Sequence, residues 1–276
     1  MTLTIAVIGA LDKEVRRIYQ DIEHGTVADD AGLTVMGGEY HGFNLVATVA
    51  GMGTVNAAAA TQFLITKYGA NAVIFSGIAG GLNPRLHIDD VVIGETLRYT
   101  DTDCSLIAES KPGLEEFHST GFLADLAEET LKKHGYVDAA LSDEEVAAGA
   151  AAREEADATY FRRLNPGADL RRYLRGTIAT GNRFVTGADM RAAVVDATGA
   201  DCAEMEGAAV AHVAAKNGVD CLVLRTISDN CDEGYDAFCE REFDLEEYAR
   251  SASDLVLAII RRLAVKMGLE GAVDRA

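Results

Sequence analysis

Residues 202–230 read CAEMEGAAVAHVAAKNGVDCLVLRTISDN, and this stretch decides the fold. Its Ala-rich middle strongly favours helix, and Gly218 is a predicted helix stop. The apolar run 221–224 predicts a buried strand. Carboxylates therefore lie just before the helix, and Asp229 lies just past the strand. Because ligands bind at the carboxyl ends of strands in open α/β sheets, Asp229 is a candidate for chemistry.

Composition limits the class of protein. The chain has 276 residues, of which 49% are hydrophobic, and a formal net charge of −19. This size predicts one α/β domain spanning residues 1–276. The negative charge argues against nucleic acid and anionic membranes as partners and favours a small-molecule substrate. We expect a cytoplasmic protein, because neither a signal peptide nor a run of transmembrane length is visible.

The cysteine pattern indicates free thiols in a reducing compartment, because the number is odd and no CxxC spacing occurs. The five cysteines are Cys104, Cys202, Cys221, Cys231 and Cys239. Cys231 and Cys239 lie in sequence without histidine, which argues against a zinc site. We expect neither a metal nor an organic cofactor.

The rest of the chain alternates predicted strands and helices. Strands are predicted at 4–8, 33–40, 43–49, 72–76 and 176–180, and helices at 12–19, 56–68, 123–135 and 245–267. The glycine-rich segment 77–81 is expected to be a flexible loop. Charge-rich residues near 138–172 predict a solvated helical insertion. The fold expected is a single α/β domain with a mixed central sheet flanked by helices on both faces.

Four separated stretches occur in an order that resembles the nucleoside phosphorylase and nucleosidase family. They are 8–15 (IGALDKEV), 50–58 (AGMGTVNAA), 76–82 (SGIAGGL) and 202–229. Within the last stretch, the triplet 204–206 (EME) and the tripeptide 227–229 (ISD) are similar to the ribose and purine sites of 5′-methylthioadenosine/S-adenosylhomocysteine nucleosidases. The resemblance covers most of the chain except about 136–175. It implies hydrolysis of the N-glycosidic bond of adenine nucleosides to adenine and a 5-thioribose.

The resemblance also implies roles for individual residues. Glu14 would activate water, Asp229 would donate a proton toward N7 of the purine, and Glu206 would bind the ribose hydroxyls. Phe184 would stack on the purine, and the backbone of Val185 would read its edge. The other implied substrate-binding residues are Met52, Ile78, Ala79, Gly80, Glu204, Met205 and Ser228. Such a division of work between carboxyl groups follows the logic of glycoside hydrolysis.

Each residue also has a simpler explanation. Glu14 can be a solvated acid at a helix start, Glu206 can complement a helix dipole, and Asp229 can cap a turn. Phe184 can be ordinary core packing. Arg225 can compensate buried negative charge, but a strand arginine equally serves packing or a surface ion pair.

The main alternative chemistry is phosphorolysis. Phosphorylases of this family carry a Gly-Asp-Pro-x-Arg loop after the first strand and an Arg before the second glycine-rich segment. Here the first segment reads GALDKE at 9–14 and the second reads FSG at 75–77. Both cations that would hold phosphate are absent, and the acid Glu14 would repel an oxyanion. The sequence therefore favours water as the nucleophile.

Departures from the family pattern leave the 5′ substituent open. Ile78 stands where nucleosidases usually have Ser, and Cys104 and Ile107 fall where the 5′-alkylthio pocket has Val and Phe. A futalosine hydrolase, a purine nucleoside phosphorylase and a non-catalytic nucleoside-binding protein of the same fold remain alternatives. By resemblance we also expect a homodimer in which the partner closes the 5′ end of the pocket.

Overall fold

A mixed β-sheet of eleven strands runs through the molecule, with six helices packed against it in the part of the chain that the structure describes. The computed structural model describes residues 2–102, 113–141, 171–232 and 245–269. The strands are β1 (Thr4–Gly9), β2 (Glu23–Asp30), β3 (Leu33–Tyr40), β4 (Phe43–Val49), β5 (Ala72–Gly81), β6 (Val91–Tyr99), β7 (Phe117–His118), β8 (Val137–Asp138), β9 (Arg172–Thr180), β10 (Cys202–Glu204) and β11 (Asp220–Asp229). The helices are α1 (Asp12–Asp21), α2 (Thr54–Tyr68), α3 (Gly121–Lys133), α4 (Ala188–Thr198), α5 (Gly207–Asn217) and α6 (Leu245–Lys266).

The strand order is β10-β9-β6-β11-β5-β1-β4-β3-β2, with β7 on β6 and β8 on β9. Strands β4, β1, β5 and β11 are mutually parallel, whereas β6 runs antiparallel to β11. Strand β10 pairs with β9 and also, antiparallel, with the end of β5. The carboxyl ends of β4, β1, β5 and β11 therefore lie side by side at one edge, which is where functional loops collect in such sheets.

Helices cover both faces of the sheet because successive strand residues point to opposite faces. Along β1, Ile5 and Val7 join one buried cluster, which includes side chains of α1, α3 and α6. Ala6 and Ile8 join the other, which includes side chains of α2 and α5. Each fully buried Ile, Leu or Val side chain stabilises the fold by about 1.5–3 kcal/mol. The prediction of a mixed central sheet with helices on both faces is confirmed.

Several element predictions were wrong in detail. Segment 77–81 is not a loop but the end of β5, because it pairs with β11 on one side and β10 on the other. Strand β2 was not predicted, since all eight of its residues are exposed and carry no hydrophobic alternation. Strand β9 begins at Arg172, four residues before its predicted start at 176. Gly218 ends α5 in the left-handed conformation, as predicted.

Some sequence predictions fall outside the described residues. Most of the predicted helical insertion near 138–172 lies there, since residues 142–170 are not described. Cys104, Ile107 and Cys239 also lie outside the described ranges.

Candidate active site

The Glu14 carboxylate is held by backbone N–H groups at the end of β1. Helix α1 begins just after β1, which puts Glu14 in its first turn. One carboxylate oxygen, Oε2, accepts hydrogen bonds from the backbone N–H of Ala10 at 2.7 Å and Leu11 at 2.8 Å. The other, Oε1, accepts from the N–H of Ile78 on β5 at 3.2 Å. Glu14 therefore joins the ends of two neighbouring strands.

Burial of Glu14 changes its acidity. The side chain is 4% exposed, and this desolvation raises its pKa above the ordinary value. Arg225 and the backbone hydrogen bonds act in the opposite direction. A carboxylate with a raised pKa is a stronger base than one in water, so Glu14 is suited to accept a proton.

Gly77 brings Glu14 and Arg225 together. A Cβ atom at Gly77 would lie 2.5 Å from Oε1 of Glu14 and 2.9 Å from Nη1 of Arg225, so any larger residue would displace one of them. The absence of a side chain in this part of β5 is therefore a requirement of the site.

Arg225 is the buried counter-ion of the site, and the first of the two interpretations of this residue is confirmed. Its side chain is 1% exposed, and Nε donates to Oε2 of Glu204 at 3.1 Å. Nη2 also donates to Glu204 and lies 3.9 Å from Oε2 of Glu206. The guanidinium stacks over the ring of Phe75, with 4.2 Å between Cζ and the ring centroid, a cation–π contact. One cation thus compensates several carboxylates.

Glu204 is fully engaged with protein groups. Besides Arg225, it accepts from the hydroxyl of Thr180, from the N–H of Gly207 at 2.7 Å and from the N–H of Glu206 at 3.1 Å. The carboxylate therefore ties β9, β11 and the start of α5 together. These bonds fit a residue that positions Glu206 better than one that contacts substrate directly.

Glu206 is the N-cap residue of α5 and reaches across to the loop after β4. Its Oε1 accepts from the N–H of Gly53 at 2.7 Å. Burial, and next the charge of Glu204, raise the pKa of Glu206 to about 7, against the opposing effect of Arg225. The neutral and ionised forms of Glu206 are therefore close in free energy at physiological pH.

This raised pKa predicts a pH-dependent stability. Because the folded pKa of about 7 exceeds the ordinary 4.5, the contribution of Glu206 to stability is full below about pH 4.5. It is lost as the pH rises through 7. Glu206→Gln keeps an acceptor for Gly53 without a charge, so the melting temperature of wild type relative to this variant should fall between pH 4.5 and 8. A difference that is independent of pH would show that Glu206 does not titrate in this range.

Asp229 lies at a bulge near the end of β11. The register with β5 shifts between Ile227 and Asp229, and bulges often redirect side chains next to active sites. Oδ2 accepts from the hydroxyl of Ser228 at 3.0 Å, and Oδ1 accepts from the N–H of Cys231 at 2.9 Å. The Ser228 hydroxyl also lies 3.3 Å from the carbonyl oxygen of Ala79. Asp229 is 5% exposed, so its orientation is fixed by these donors.

The carboxyl groups of Glu14, on α1, and Asp229, on β11, both lie against strand β5. Glu14 rests against Gly77, and a Cβ atom at Gly80 would be 2.9 Å from Oδ1 of Asp229. Three residues of an extended strand span about 10 Å. If both carboxyl groups act on one nucleoside, we expect them to lie within about 15 Å of each other, and this spacing is consistent with that expectation.

The loop after β9 carries Phe184 and Val185, the residues expected to contact the purine. Phe184 has a 42% exposed side chain, while Val185 is buried. A pocket of about 640 Å³ opens beside Phe184, and its other lining residues are Arg183, Thr186, Gly187, Ala188, Asp189 and Met190. Asn182 fixes this loop to the loop after β4, because its Oδ1 accepts from the N–H of Thr54 at 2.9 Å.

The remaining predicted substrate residues lie around this edge. Ala79 and Gly80 are buried in β5, and Ile78 between Gly77 and Ala79 is partly exposed. Met205 is partly exposed between the two glutamates. Met52 is 62% exposed.

Three contributors were missed from the sequence: Thr180, Gly53 and Cys231. The N–H of Gly53 and the hydroxyl of Thr180 contact Glu206 and Glu204, carboxylates that are distant in the chain. The N–H of Cys231 contacts Asp229 two residues before it. Sequence spacing carries no signal for such contacts. The loops after β4 and β9 meet only through the tertiary structure, where the N–H of Thr54 donates to Asn182.

Within the described ranges, no group of three or more His, Cys, Asp or Glu side chains is arranged to hold a metal ion. None of the helices described there combines the length and the apolar character that a membrane-spanning segment needs.

Known proteins are similar to this chain over most of its length. The family model of the phosphorylase superfamily matches residues 4–261. A 5′-methylthioadenosine/S-adenosylhomocysteine nucleosidase of Treponema pallidum is 33% identical over 95% of this chain and 94% of its own. An aminodeoxyfutalosine nucleosidase of Campylobacter jejuni is 27% identical over 96% of this chain and 100% of its own.

A solved structure extends the comparison to three dimensions. The 5′-methylthioadenosine/S-adenosylhomocysteine nucleosidase of Neisseria meningitidis, in complex with methylthio-immucillin-A, superimposes with a TM-score of 0.72. It is 27% identical, and the match covers 94% of this chain and 98% of that one. The chain therefore belongs to the phosphorylase superfamily, among relatives that include the 5′-methylthioadenosine/S-adenosylhomocysteine nucleosidases.

Proposed function

We propose that this protein hydrolyses the N-glycosidic bond of adenine nucleosides, 5′-methylthioadenosine, S-adenosylhomocysteine or both, to adenine and a 5-thioribose. The Treponema and Neisseria relatives named as such nucleosidases support this substrate class. The observation that carries the proposal is the buried edge where Glu14, Glu206 and Asp229 all lie beside β5 or its neighbours. This arrangement offers both acid and base chemistry around one small ligand.

The nucleophile is water rather than phosphate. Backbone N–H groups at the ends of β1 and β5 form the concave, donor-rich site in which an anion would bind. In this chain the N–H groups of Ala10, Leu11 and Ile78 already donate to the carboxylate of Glu14. An incoming phosphate would find its donors occupied by a negative charge. Glu14 instead accepts a proton from water as the water attacks the ribosyl carbon.

The other residues act on the leaving base and the sugar. Asp229 delivers its proton toward N7, so that adenine leaves as a neutral molecule. Glu206, held by Gly53 and flanked by Arg225, accepts hydrogen bonds from the ribose hydroxyls, with Met205 beside it. Phe184 stacks on the purine, and the backbone of Val185 reads its edge. Negative charge from Glu206 also stabilises the positive charge that develops on the ribosyl ring.

Hydrolysis of a futalosine-type nucleoside is the second candidate. The relative from Campylobacter jejuni is named an aminodeoxyfutalosine nucleosidase. Such a substrate would use the same ribose and base contacts and differ at its 5′ substituent. The apolar Ile78 at the site favours neither candidate by itself. A purine nucleoside phosphorylase or a non-catalytic nucleoside binder fits the engaged carboxylates less well.

One experiment separates these functions. The purified protein is incubated with methylthioadenosine, adenosylhomocysteine, inosine or futalosine, with and without phosphate, and free base is measured. Release of adenine without phosphate supports the proposal, and base release only from futalosine supports the second candidate. Dependence on phosphate would identify a phosphorylase, and no release from any nucleoside would favour the binding protein.

We propose a cytoplasmic homodimer in which the partner subunit closes the 5′ end of the pocket. Met52 and Val55 are 62% and 78% exposed, and they flank the Gly53 N–H that holds Glu206. Apolar side chains exposed so close to a site suit an interface. Buried free thiols at Cys202 and Cys221 suit a reducing compartment.

The dimer makes a direct prediction. Light scattering at micromolar concentration should give a mass near twice that of the 29.3 kDa chain. Val55→Asp should shift this equilibrium toward monomer and reduce turnover, because a charge would be buried at the interface. A fully active monomer would contradict the proposal.

A further inference from the structure

Cys231 makes two contacts with the proposed acid. Its backbone N–H donates to Oδ1 of Asp229 at 2.9 Å, and its thiol lies beside the same carboxylate, because both groups approach the Cα of Gly80. The residue is 5% exposed and has a φ of +55°, a conformation unusual for a residue other than glycine. A side chain held in such a backbone conformation is kept in one place by its surroundings.

Gly80 explains why the thiol fits there. A Cβ atom at Gly80 would collide with Sγ of Cys231 and lie 2.9 Å from Oδ1 of Asp229. The thiol and the carboxylate therefore pack together over the bare Cα of Gly80, in the strand that also contacts Glu14. This space is filled by the thiol and belongs to the acid end of the site.

The thiol is suited to donate and not to react. Burial, and next the charge of Asp229, raise the pKa of the Cys231 thiol far above its ordinary value. A thiol with such a pKa stays protonated at neutral pH and is a poor nucleophile. The other charged groups facing it are Arg191 of α4 and Asp232 of the same loop. Cys231 can therefore act as a neutral hydrogen-bond donor across the working pH range.

We propose that the thiol of Cys231 is a positioning residue that holds the Asp229 carboxyl group in the orientation needed for proton transfer to the purine. This inference rests on the proposed nucleosidase function. Cys231 engages Asp229 on the side of Oδ1, while Ser228 contacts Oδ2. The group is thus fixed from both sides, and Oδ2 is the oxygen that delivers the proton to N7.

The test uses three variants of the full chain. Cys231→Ala removes the donor, Cys231→Ser retains a donor in the same place, and Cys221→Ala removes an equally buried thiol from β11 away from the acid. We measure kcat, KM and the melting temperature, using the nucleoside that the wild type cleaves best.

Cys231→Ala should lower kcat about five- to tenfold with little change in KM, the effect of one lost hydrogen bond expressed in the transition state. Cys231→Ser should restore kcat, and Cys221→Ala should leave both kcat and KM unchanged.

Two results would overturn the inference. One is a Cys231→Ala variant with wild-type kcat and KM. The other is a Cys231→Ser variant that melts normally but shows the five- to tenfold loss of kcat expected of Cys231→Ala. This second result decides the question even when the Ala variant does not fold. A wild-type protein that cleaves no nucleoside would contradict the proposed function itself, and the inference with it.

Discussion

The Asp229→Asn variant is expected to release adenine roughly 10²-fold or more slowly than the wild type, the range for a lost proton transfer. The amide keeps the shape of the carboxyl group and can still donate a hydrogen bond to N7, but it cannot give up a proton. The loss should therefore appear in kcat, with KM changed far less, because the ground-state contact survives.

The hydrogen bonds around Asp229 make this substitution structurally mild. Oδ1 of Asn would still accept from the N–H of Cys231. The amide nitrogen would replace Oδ2, so the Ser228 hydroxyl would turn to donate to the carbonyl oxygen of Ala79, 3.3 Å away. We therefore expect a melting temperature close to that of the wild type, which separates catalysis from folding.

Asp232→Asn is the matched control for this measurement. It makes the same Asp-to-Asn change three residues further along the chain, where the side chain is exposed. This control should retain wild-type turnover. If Asp229 only caps a turn, Asn is a good replacement and the Asp229→Asn variant should also remain active. Wild-type turnover with normal stability in that variant would remove Asp229 from the mechanism.

The sequence predicted that the motifs of the candidate site gather at one edge of the sheet. Gly9, the loop after β4, segment 77–81 and Asp229 all lie at the carboxyl ends of parallel strands, and such ends meet at one edge. Local patterning of this kind needs no knowledge of long-range contacts. The same reasoning gave the mixed sheet and the helices on both faces, because apolar periodicity reports which side of an element is buried.

The sequence could not predict how the carboxylates are held. Arg225 lies 21 residues from Glu204 and 211 from Glu14, so whether it was a buried counter-ion or a surface residue depended on the tertiary structure. The segment 77–81 was mistaken for a loop for a related reason. Glycine has low strand propensity, but pairing with β10 and β11 outweighs this local preference.

The Glu14→Gln variant is expected to lose about 10²–10⁴-fold in kcat, because the group that takes the proton from water is removed. A glutamine side chain has the same length and can fill the same space. Its amide presents a single acceptor oxygen, however, whereas the carboxylate receives three backbone N–H groups. The amide oxygen would accept from the N–H groups of Ala10 and Leu11. The amide NH₂ would then face the N–H of Ile78, which would be left without an acceptor.

This rearrangement has two opposing effects on stability. An N–H of Ile78 without an acceptor costs about 1–3 kcal/mol. Against this, a buried carboxylate whose pKa is raised by desolvation is replaced by a neutral group, which relieves part of that penalty. We expect only a modest change in melting temperature, so a large loss of kcat in Glu14→Gln would not reflect unfolding.

Asp12→Asn provides the comparison that isolates the base. Asp12 lies in the same first turn of α1 and has the same charge, but its side chain is 62% exposed and paired with Arg16. Removing Asp12 changes the helix N-terminus without touching β5, so turnover should stay at the wild-type level.

Added phosphate should not restore activity to Glu14→Gln, if the N–H groups of Ala10, Leu11 and Ile78 serve only to hold the Glu14 side chain. Phosphate-dependent base release by that variant would mean that the three N–H groups still form an anion site, and that Glu14 alone makes this chain choose water.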